Sequence, residues 1–383
     1  MPDEESNLPV SLIPADAGGR PPEAGAALCL SGGGYRAMLF HVGSIWRLYE
    51  AGILQSLSRV SSVSGGSITA AQLGLCWRDL SFAPDKTERD FIPRFVGPLR
   101  RLASRTIDRK AIVGGALLPS SIGDRLIAAY RKHLFADATL QDLPGDGEGP
   151  RFVINATNVQ SGALWRFSRP YMRDWRVGEV RDPQVPIATA VAASSAFPPV
   201  LSPIELELES ADFTPGSGAD LQREPFTREA ILTDGGVYDN LGLETAYKRY
   251  QTLFVSDAGG KLQADEDPDA DWARHSKRVL DLIDNQVRSL RKRQLIGALR
   301  SGARKGAYWG IRADISDYRL PDPLPAPIDR TTELAETPTR LKHLDDERQE
   351  RLINWGYAVA DAAIRAHVDR AIPRGRLPYR AGV

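Results

Sequence analysis

The sequence predicts an α/β fold, in which a mainly parallel central sheet is covered by helices on both faces. Apolar, strand-like runs alternate with helix-like segments along the chain, and this alternation is typical of parallel strands joined by helices. The first two predicted strand-to-helix connections are rich in glycine. The length of 383 residues and the hydrophobic content of 42% are sufficient for a large buried core.

The first predicted strand, residues 26–30, is followed by Ser-Gly-Gly-Gly, and residues 37–42 continue as an apolar helix. Consecutive glycines allow backbone amides to approach a ligand closely. The N-terminus of the helix adds a dipole that favours negative charge. Gly32, Gly33 and Gly34 are therefore predicted to bind a negatively charged atom.

The second connection contains a candidate nucleophile. Residues 60–63 are predicted to form a strand, Ser64 follows it with Gly65 and Gly66, and residues 68–73 continue as a helix. A serine at such a corner is held out of the sheet, and small neighbours give the room that a strained turn needs. This serine is predicted to attack an acyl group, because the first glycine turn would bind the resulting oxyanion.

Later segments are predicted to complete the sheet and close the fold. Strands are expected at residues 151–155, 204–208, 252–257 and within 306–315. A helix is expected at residues 344–368. Its apolar stripe, predicted to pack inward, consists of Leu352, Trp355, Val359, Ala363 and Ala366.

The organisation along the chain favours a single domain at residues 26–383, since the catalytic groups are far apart in sequence and must meet. Residues 1–25 are acidic and then rich in Pro and Gly, which predicts a mobile lead-in. Residues 77–148 interrupt the alternation with proline-separated helical pieces and are predicted to form a cap over the active site. Residues 261–383 are predicted to form a C-terminal helical and strand extension.

Composition favours a cytoplasmic protein with at most peripheral membrane contact. The formal net charge is zero, so no general attraction to nucleic acid or anionic bilayers is expected. No apolar run approaches the ~18 residues of a membrane-spanning helix. Cys29 and Cys76 do not form a disulfide framework. Residues 91–110 are basic and amphipathic, and are expected either to pack as a cap helix on the protein body or to lie on a membrane surface. Residues 288–305 are a second basic stretch, expected to form a solvated helix face if they do not contact a membrane.

Three motifs together resemble the patatin-like phospholipase family. They are residues 31–36 (SGGGYR), residues 62–66 (SVSGG) and residues 232–240 (LTDGGVYDN). Residues 155–158 and 193–199 are also similar to that family. The resemblance extends over roughly residues 26–260 and implies a three-layer α/β fold with a lipid acyl hydrolase activity. The pattern usually written Gly-x-Ser-x-Gly begins here with a serine, which is also small enough for a tight turn.

The resemblance implies a Ser-Asp dyad in which Asp234 accepts the proton of Ser64. It also implies that Gly32, Gly33, Gly34 and Gly65 form the oxyanion hole. Arg36, Gly66, Gly235 and Gly236 would support these turns. An aspartate with an ordinary pKa near 4 is a weak base, so burial is expected to raise its pKa. No cofactor or metal is expected, and the substrate is an acyl ester or lipid of undetermined class.

Three alternative interpretations of the function remain open, and one further residue is a candidate for the base. A Ser-Asp-His triad would use His275, His343 or His367, although only one clear strand precedes Ser64 where α/β-hydrolases have several. Asp239 competes with Asp234 for the role of base. A dinucleotide site would need an acidic residue after the second strand, and none is present. A catalytically silent binder with the same fold is the third possibility.

Overall fold

A ten-stranded sheet runs through the centre of the protein, in a computed structural model that describes residues 22–82, 87–107, 122–198 and 201–383. The strands are β1 (Glu23–Leu30), β2 (Arg59–Val63), β3 (Arg151–Asn158), β4 (Ala163–Phe167), β5 (Tyr171–Asp174), β6 (Gly178–Arg181), β7 (Ile204–Glu207), β8 (Glu229–Asp234), β9 (Tyr250–Asp257) and β10 (Lys305–Gly310). The helices are α1 (Gly34–Glu50), α2 (Gly65–Cys76), α3 (Gly97–Ala103), α4 (Ile122–Tyr130), α5 (Ile187–Ser195), α6 (Gly236–Asp239), α7 (Glu244–Tyr247), α8 (Trp272–Arg300), α9 (Ile328–Ala335) and α10 (Asp346–His367).

The central part of the sheet is parallel. Its strand order is β10-β9-β1-β2-β3-β4-β5-β6, and neighbours from β10 to β3 run in the same direction. Strands β4 to β8 extend this core by antiparallel pairing. The predicted α/β class is confirmed, and every strand predicted from the sequence overlaps an observed strand. Strands β4 to β6 were missed because they are short and joined by turns instead of helices.

Strand β3 brings the two predicted catalytic segments together. Residues 151–155 of β3 pair with β2, and residues 156–158 pair with β8. Because β4 occupies the other edge of β3, strands β2 and β8 lie end to end on one edge. The last residue of β2 pairs with Asn155, and Asp234 pairs with the next residue along, Ala156. The register therefore places Asp234 beside the residue that follows β2, which is Ser64.

Helices α1 and α10 pack against each other and form much of the core outside the sheet. Four of the five residues of the predicted stripe of α10 are at 0% exposure, namely Leu352, Trp355, Val359 and Ala363, whereas Ala366 is only partly buried. A buried ion pair between Arg47 of α1 and Asp361 of α10, with an N···O distance of 2.7 Å, joins the two helices. Burial of both the apolar stripe and this pair fixes the position of α1, whose N-terminus lies at the first glycine turn.

The segment predicted as a cap contains helices, although residues 83–86 and 108–121 lie outside the described part. A π-helical stretch, Thr87–Val96, leads into α3, and a second, Arg131–Phe135, follows α4. The apolar side chains of the first basic segment pack into the core; Phe91, Phe95, Leu99 and Leu102 are at 0% exposure. Packing on the protein body therefore accounts for this segment as far as residue 107.

The first strand begins inside the segment predicted as a lead-in. Strand β1 begins at Glu23, so the predicted lead-in of residues 1–25 overlaps the sheet. The amide of Glu23 donates to the carbonyl of Arg249 at 2.7 Å, which ties this end to β9. Residues 1–21 lie outside the described ranges. None of the helices within those ranges is both long enough and apolar enough to cross a bilayer.

Candidate active site

Ser64 lies at the corner between β2 and α2 with a strained backbone. Its φ is 52° and its ψ is −122°, a conformation that non-glycine residues rarely adopt. The amide of Ser64 donates to the carbonyl oxygen of Ser194 at 3.1 Å and approaches the Ser194 hydroxyl at 3.0 Å. A strained conformation that neighbouring hydrogen bonds hold in place is typical of a nucleophile at a strand-to-helix turn.

Asp234 is buried at the end of β8, and the sheet register places it beside Ser64. One of its carboxylate oxygens accepts the amide N–H of Gly236 at 2.7 Å. Burial raises the pKa of Asp234 to about 7, although the Gly236 amide and the Ser64 hydroxyl act to lower it. An aspartate with this pKa next to a serine hydroxyl can accept the serine proton near neutral pH.

The two glycine turns contact each other beside this dyad. Gly34 is the first residue of α1 and Gly65 is the first residue of α2. A Cβ on Gly65 would lie 2.2 Å from the carbonyl oxygen of Gly34, so only glycine allows this approach. A Cβ on Gly32 would lie 3.1 Å from the Cβ of Ser64. The N-termini of both helices are thus directed at the region of the Ser64 hydroxyl.

The predicted oxyanion donors differ in whether their amides are already bonded. The amide of Gly32 donates to the carbonyl oxygen of Asn240 at 3.1 Å, which links the turn to the segment that follows Asp234. Among the described residues, no acceptor is bonded to the amides of Gly33, Gly34 or Gly65. The oxyanion role of all four glycines stays a prediction.

Arg36 lies under the first glycine turn and is 3% exposed. Its guanidinium donates to the carbonyl oxygen of Ala258 at 3.0 Å and 3.2 Å and to that of Thr337 at 2.5 Å. The outer guanidinium nitrogen would be 3.0 Å from a Cβ on Gly33. Arg36 therefore connects the turn to the segments after β9 and α9.

Two polar residues near the dyad were not identified from the sequence. Ser194, at the end of α5, binds the amides of Ser64 and Gly235 through its carbonyl oxygen, and its hydroxyl donates to the Asn155 carbonyl at 2.6 Å. The side-chain oxygen of Asn240 would be 2.3 Å from a Cβ on Gly32 and 2.9 Å from one on Gly236. Residues 193–199 and 232–240 include both, but no sequence pattern shows which member makes these contacts.

Asp239 is also buried, but it has different partners from Asp234. Its carboxylate accepts the amides of Leu241 at 3.1 Å and Glu244 at 2.6 Å, and Arg291 lies 3.7 Å away. Burial raises its pKa, and Arg291 acts in the opposite direction. These contacts order the turn between α6 and α7.

The histidines of the alternative triad lie on the surface, whereas Ser64 and Asp234 are buried. His275, His343 and His367 are all exposed. His41 is buried, and its ring nitrogens are bonded to the Ser256 hydroxyl at 2.8 Å and the Ser31 carbonyl at 2.9 Å. Burial lowers its pKa to about 4, so it is a neutral structural residue.

Two helices, α4 and α8, pack against the elements next to Ser64 and Asp234, and two exposed apolar side chains lie near them in sequence. The Tyr130 hydroxyl of α4 is 3.0 Å from the Ser195 hydroxyl, so α4 covers the end of α5. Phe197 and Val237 are 46% and 51% exposed, and they lie close in sequence to Ser195 and Asp234. Helix α8 packs against α6, and the charge of Asp284 on α8 acts to raise the Asp234 pKa.

Comparisons with known proteins identify a family and a similar fold. The family model described as Patatin-like phospholipase matches residues 28–247, which include both glycine turns, Ser64 and Asp234. The chain resembles the structure of human GIVD cytosolic phospholipase A2, with a TM-score of 0.52 and 13% identity over 88% of this chain and 58% of that one. The same protein in complex with methyl gamma-linolenyl fluorophosphonate gives a TM-score of 0.51 and 14% identity, over 88% and 57% of the two chains.

These solved structures show a likeness of fold. The chain spans less than two thirds of the length of the human protein, 58% and 57% in the two comparisons. A search of curated protein sequences found no match.

Proposed function

Because the chain belongs to the patatin-like phospholipase family, we propose that it hydrolyses carboxylic esters of lipids through an acyl-enzyme formed on Ser64. The observation that supports this proposal most directly is the position of the buried Asp234 carboxylate, which the sheet register places beside Ser64. Both groups lie beside helix N-termini whose first amides have no acceptor among the described residues. This arrangement joins a nucleophile, a base and oxyanion donors in one place.

Ser64 attacks the ester carbonyl while Asp234 accepts its proton. The tetrahedral oxyanion receives hydrogen bonds from the amides of Gly33, Gly34 and Gly65, and each such donor is worth roughly 3 kcal/mol of transition-state stabilisation. Collapse of the intermediate breaks the ester C–O bond, and the alcohol leaves with the proton from Asp234. Water then attacks the acyl-enzyme while Asp234 accepts a proton from it. As the bond between the acyl carbon and the Ser64 oxygen breaks, Asp234 returns that proton to Ser64, and the carboxylic acid is released.

Asp234 performs this role without a histidine because burial raises its basicity. With a pKa of about 7, the carboxylate is ionised in roughly half of the molecules at neutral pH. A carboxyl of ordinary pKa would be a much weaker base for a serine hydroxyl. A raised pKa in a carboxylate that lies beside the Ser64 hydroxyl favours a dyad over a triad.

The outer surface next to the dyad fits a lipid aggregate as substrate. Large exposed apolar side chains are concentrated on α8, with further ones at Phe197 and Val237. We define the α8 stripe as Trp272, Val279, Ile283 and Leu290, whose spacing places them along one side of the helix. Their exposed fractions are 84%, 42%, 52% and 57%. Contact of this stripe with a bilayer surface would bring the dyad close to ester bonds of lipids.

Hydrolysis assays with matched labelling test the proposed function. Purified protein is assayed with p-nitrophenyl esters and with a panel of phospholipids and glycerides, next to Ser64→Ala and Ser67→Ala. Ser67 is a buried serine of the same turn, and its hydroxyl lies 2.8 Å from that of Ser194. We expect activity and fluorophosphonate labelling in the wild type and in Ser67→Ala, and neither in Ser64→Ala.

The panel also distinguishes the alternatives. Labelling of Ser64→Ala at wild-type rate would disprove the assignment of the nucleophile. A folded wild-type protein that neither labels nor hydrolyses any ester would favour the catalytically silent binder. The preferred ester in the panel identifies the substrate class.

A further inference from the structure

A cavity of about 490 Å³ lies between the sheet and the segment that contains α6 and α7. Its sheet side includes Arg59 of β2, Arg166 of β4 and Arg173 of β5. Antiparallel pairing places Arg166 and Arg173 directly opposite each other. Arg59 begins β2 and Ser64 follows its last residue, so the cavity reaches the opposite end of this strand from the nucleophile.

The three arginines have donors without acceptors. Arg59 is 2% exposed; one of its nitrogens donates to the Thr245 carbonyl at 3.1 Å, and its other two, Nε and Nη2, are buried without a partner among the described residues. Arg166 forms no hydrogen bond or ion pair within the described ranges, and its Nε is buried. Within the same ranges Arg173 has only a long contact of 3.5 Å with Glu179, and its Nε is likewise unpartnered. Buried guanidinium donors are normally satisfied, so these are exceptions.

The cavity also has an excess of positive charge. Among its described lining residues the one carboxylate is Glu244, which is already paired with Lys248 at 2.6 Å and Arg291 at 2.8 Å. Burial lowers the pKa of Arg166, and the charges of Arg173 and Arg59 lower it further. Burial acts to raise the pKa of Tyr171 in the same cavity, yet the nearby arginine charges lower it overall. Arg59 and Arg166 thus lie together without a carboxylate partner among the described residues, whereas Arg173, Lys248 and Arg249 each have one.

We propose that this cavity binds the phosphate group of a phosphorylated small molecule. Arginine presents its N–H groups in a planar fork that matches phosphate oxygens, and two or three forks at one point are a typical phosphate site. The cavity is larger than a phosphate ion needs, and Tyr171, Trp175 and Tyr238 also line it. These aromatic rings would contact the organic part of the ligand. The site does not depend on the proposed esterase activity.

Calorimetric titration tests the site with sodium pyrophosphate and glycerol 3-phosphate at constant ionic strength. We expect saturable binding to the wild type and an affinity lower by about 10- to 100-fold in Arg166→Gln, since one charged hydrogen-bonding group is lost. Arg330→Gln removes the same charge from an exposed position on α9 and should bind like the wild type. Equal affinity in Arg166→Gln, or no saturable heat at millimolar ligand, would overturn the proposal.

Two further measurements make the result unambiguous. Arg166 has no partner to lose among the described residues, so phosphate-free Arg166→Gln should unfold at the same temperature as the wild type or higher. This result excludes misfolding as the cause of weak binding.

Vesicles of phosphatidylcholine with or without phosphatidate are then sedimented with the Ser64→Ala variant, which leaves lipids uncleaved. Arg166-dependent binding to phosphatidate supports the site and assigns its phosphate to a lipid headgroup. Binding of pyrophosphate or glycerol 3-phosphate without binding of phosphatidate vesicles also supports the site and assigns its phosphate to a free metabolite.

Discussion

Asp234 and Asp239 are two buried aspartates of one short segment, and they differ in their neighbours. The Asp234 carboxylate accepts one backbone amide, and the sheet register places it beside Ser64. The Asp239 carboxylate accepts two backbone amides, and Arg291 lies near it. Burial raises the pKa of both. The comparison teaches that burial alone does not make a base; the group must also lie beside the hydroxyl whose proton it will accept.

The largest expected effect comes from exchanging each aspartate for asparagine. Asp234→Asn should lower kcat by about 10³-fold or more, because the general base is lost while the amide oxygen still accepts the Gly236 amide. Asp239→Asn should keep its kcat within a few-fold and lose about 1–3 kcal/mol of unfolding free energy, because one of two amides loses its acceptor. Ester hydrolysis and urea unfolding measure the two quantities.

The opposite pattern would break the comparison. If Asp239→Asn folds and is inactive while Asp234→Asn is active, Asp239 is the base. If activity survives in both but is lost on replacing His275, His343 or His367, the triad interpretation returns.

The next largest effect concerns the amides beside Asp234. Gly65→Ala would place a Cβ 2.2 Å from the Gly34 carbonyl oxygen, so the two turns must separate. We expect kcat to fall by about 10²- to 10³-fold, the typical effect of losing an oxyanion donor. Gly297→Ala is the matched control, since nothing in the described part of the chain lies within 4 Å of its Cβ on α8. That variant should retain activity and gain up to about 1 kcal/mol of stability.

Circular dichroism separates a local effect from unfolding in this pair. A folded Gly65→Ala with wild-type kcat would show that the close contact of the two turns is not needed for catalysis. In that case the unbonded amides of the glycine turns would be no more important for catalysis than the amides of Leu241 and Glu244, which are bonded to Asp239.

The sequence predicted the parallel core and the positions of both turns, because a glycine run directly after an apolar strand is typical of a tight strand-to-helix connection. It also ranked Asp234 above Asp239, but only through the resemblance of its motif. The sequence could not show that Asn240 uses the Gly32 amide or that Ser194 binds both catalytic segments. These contacts depend on β2 and β8 lying end to end on β3, which is a property of the sheet register and not of any local pattern.

A smaller effect is expected on the exposed surface beside this segment, where the α8 stripe lies near Val237. Val279→Ser combined with Ile283→Ser should lower hydrolysis of phospholipid vesicles by about 10-fold, since less apolar surface can enter the lipid. Hydrolysis of a soluble p-nitrophenyl ester should not change. Ile328→Ser combined with Val368→Ser removes exposed apolar groups on other elements and is the control.

Sedimentation velocity sharpens this test. If the α8 variant changes from dimer to monomer and hydrolyses vesicles at the wild-type rate, the stripe contacts a second copy of the chain and not lipid.

The smallest expected effect is the dependence of stability on pH. The folded-state pKa of Asp234 is about 7, above the unfolded value near 4, so the folded state binds the proton more tightly. Its contribution to stability is therefore greatest at acidic pH and falls as pH rises from about 4 to 7. Asp234→Asn should raise the unfolding free energy by about 1–3 kcal/mol at pH 8 and by less than about 1 kcal/mol at pH 5.

The kcat/KM of the wild type should rise as pH increases through the same interval, because activity needs the ionised Asp234 carboxylate. Urea unfolding and ester hydrolysis between pH 5 and 8 measure both trends. If stability and activity change together in the same direction, Asp234 is not the group that titrates.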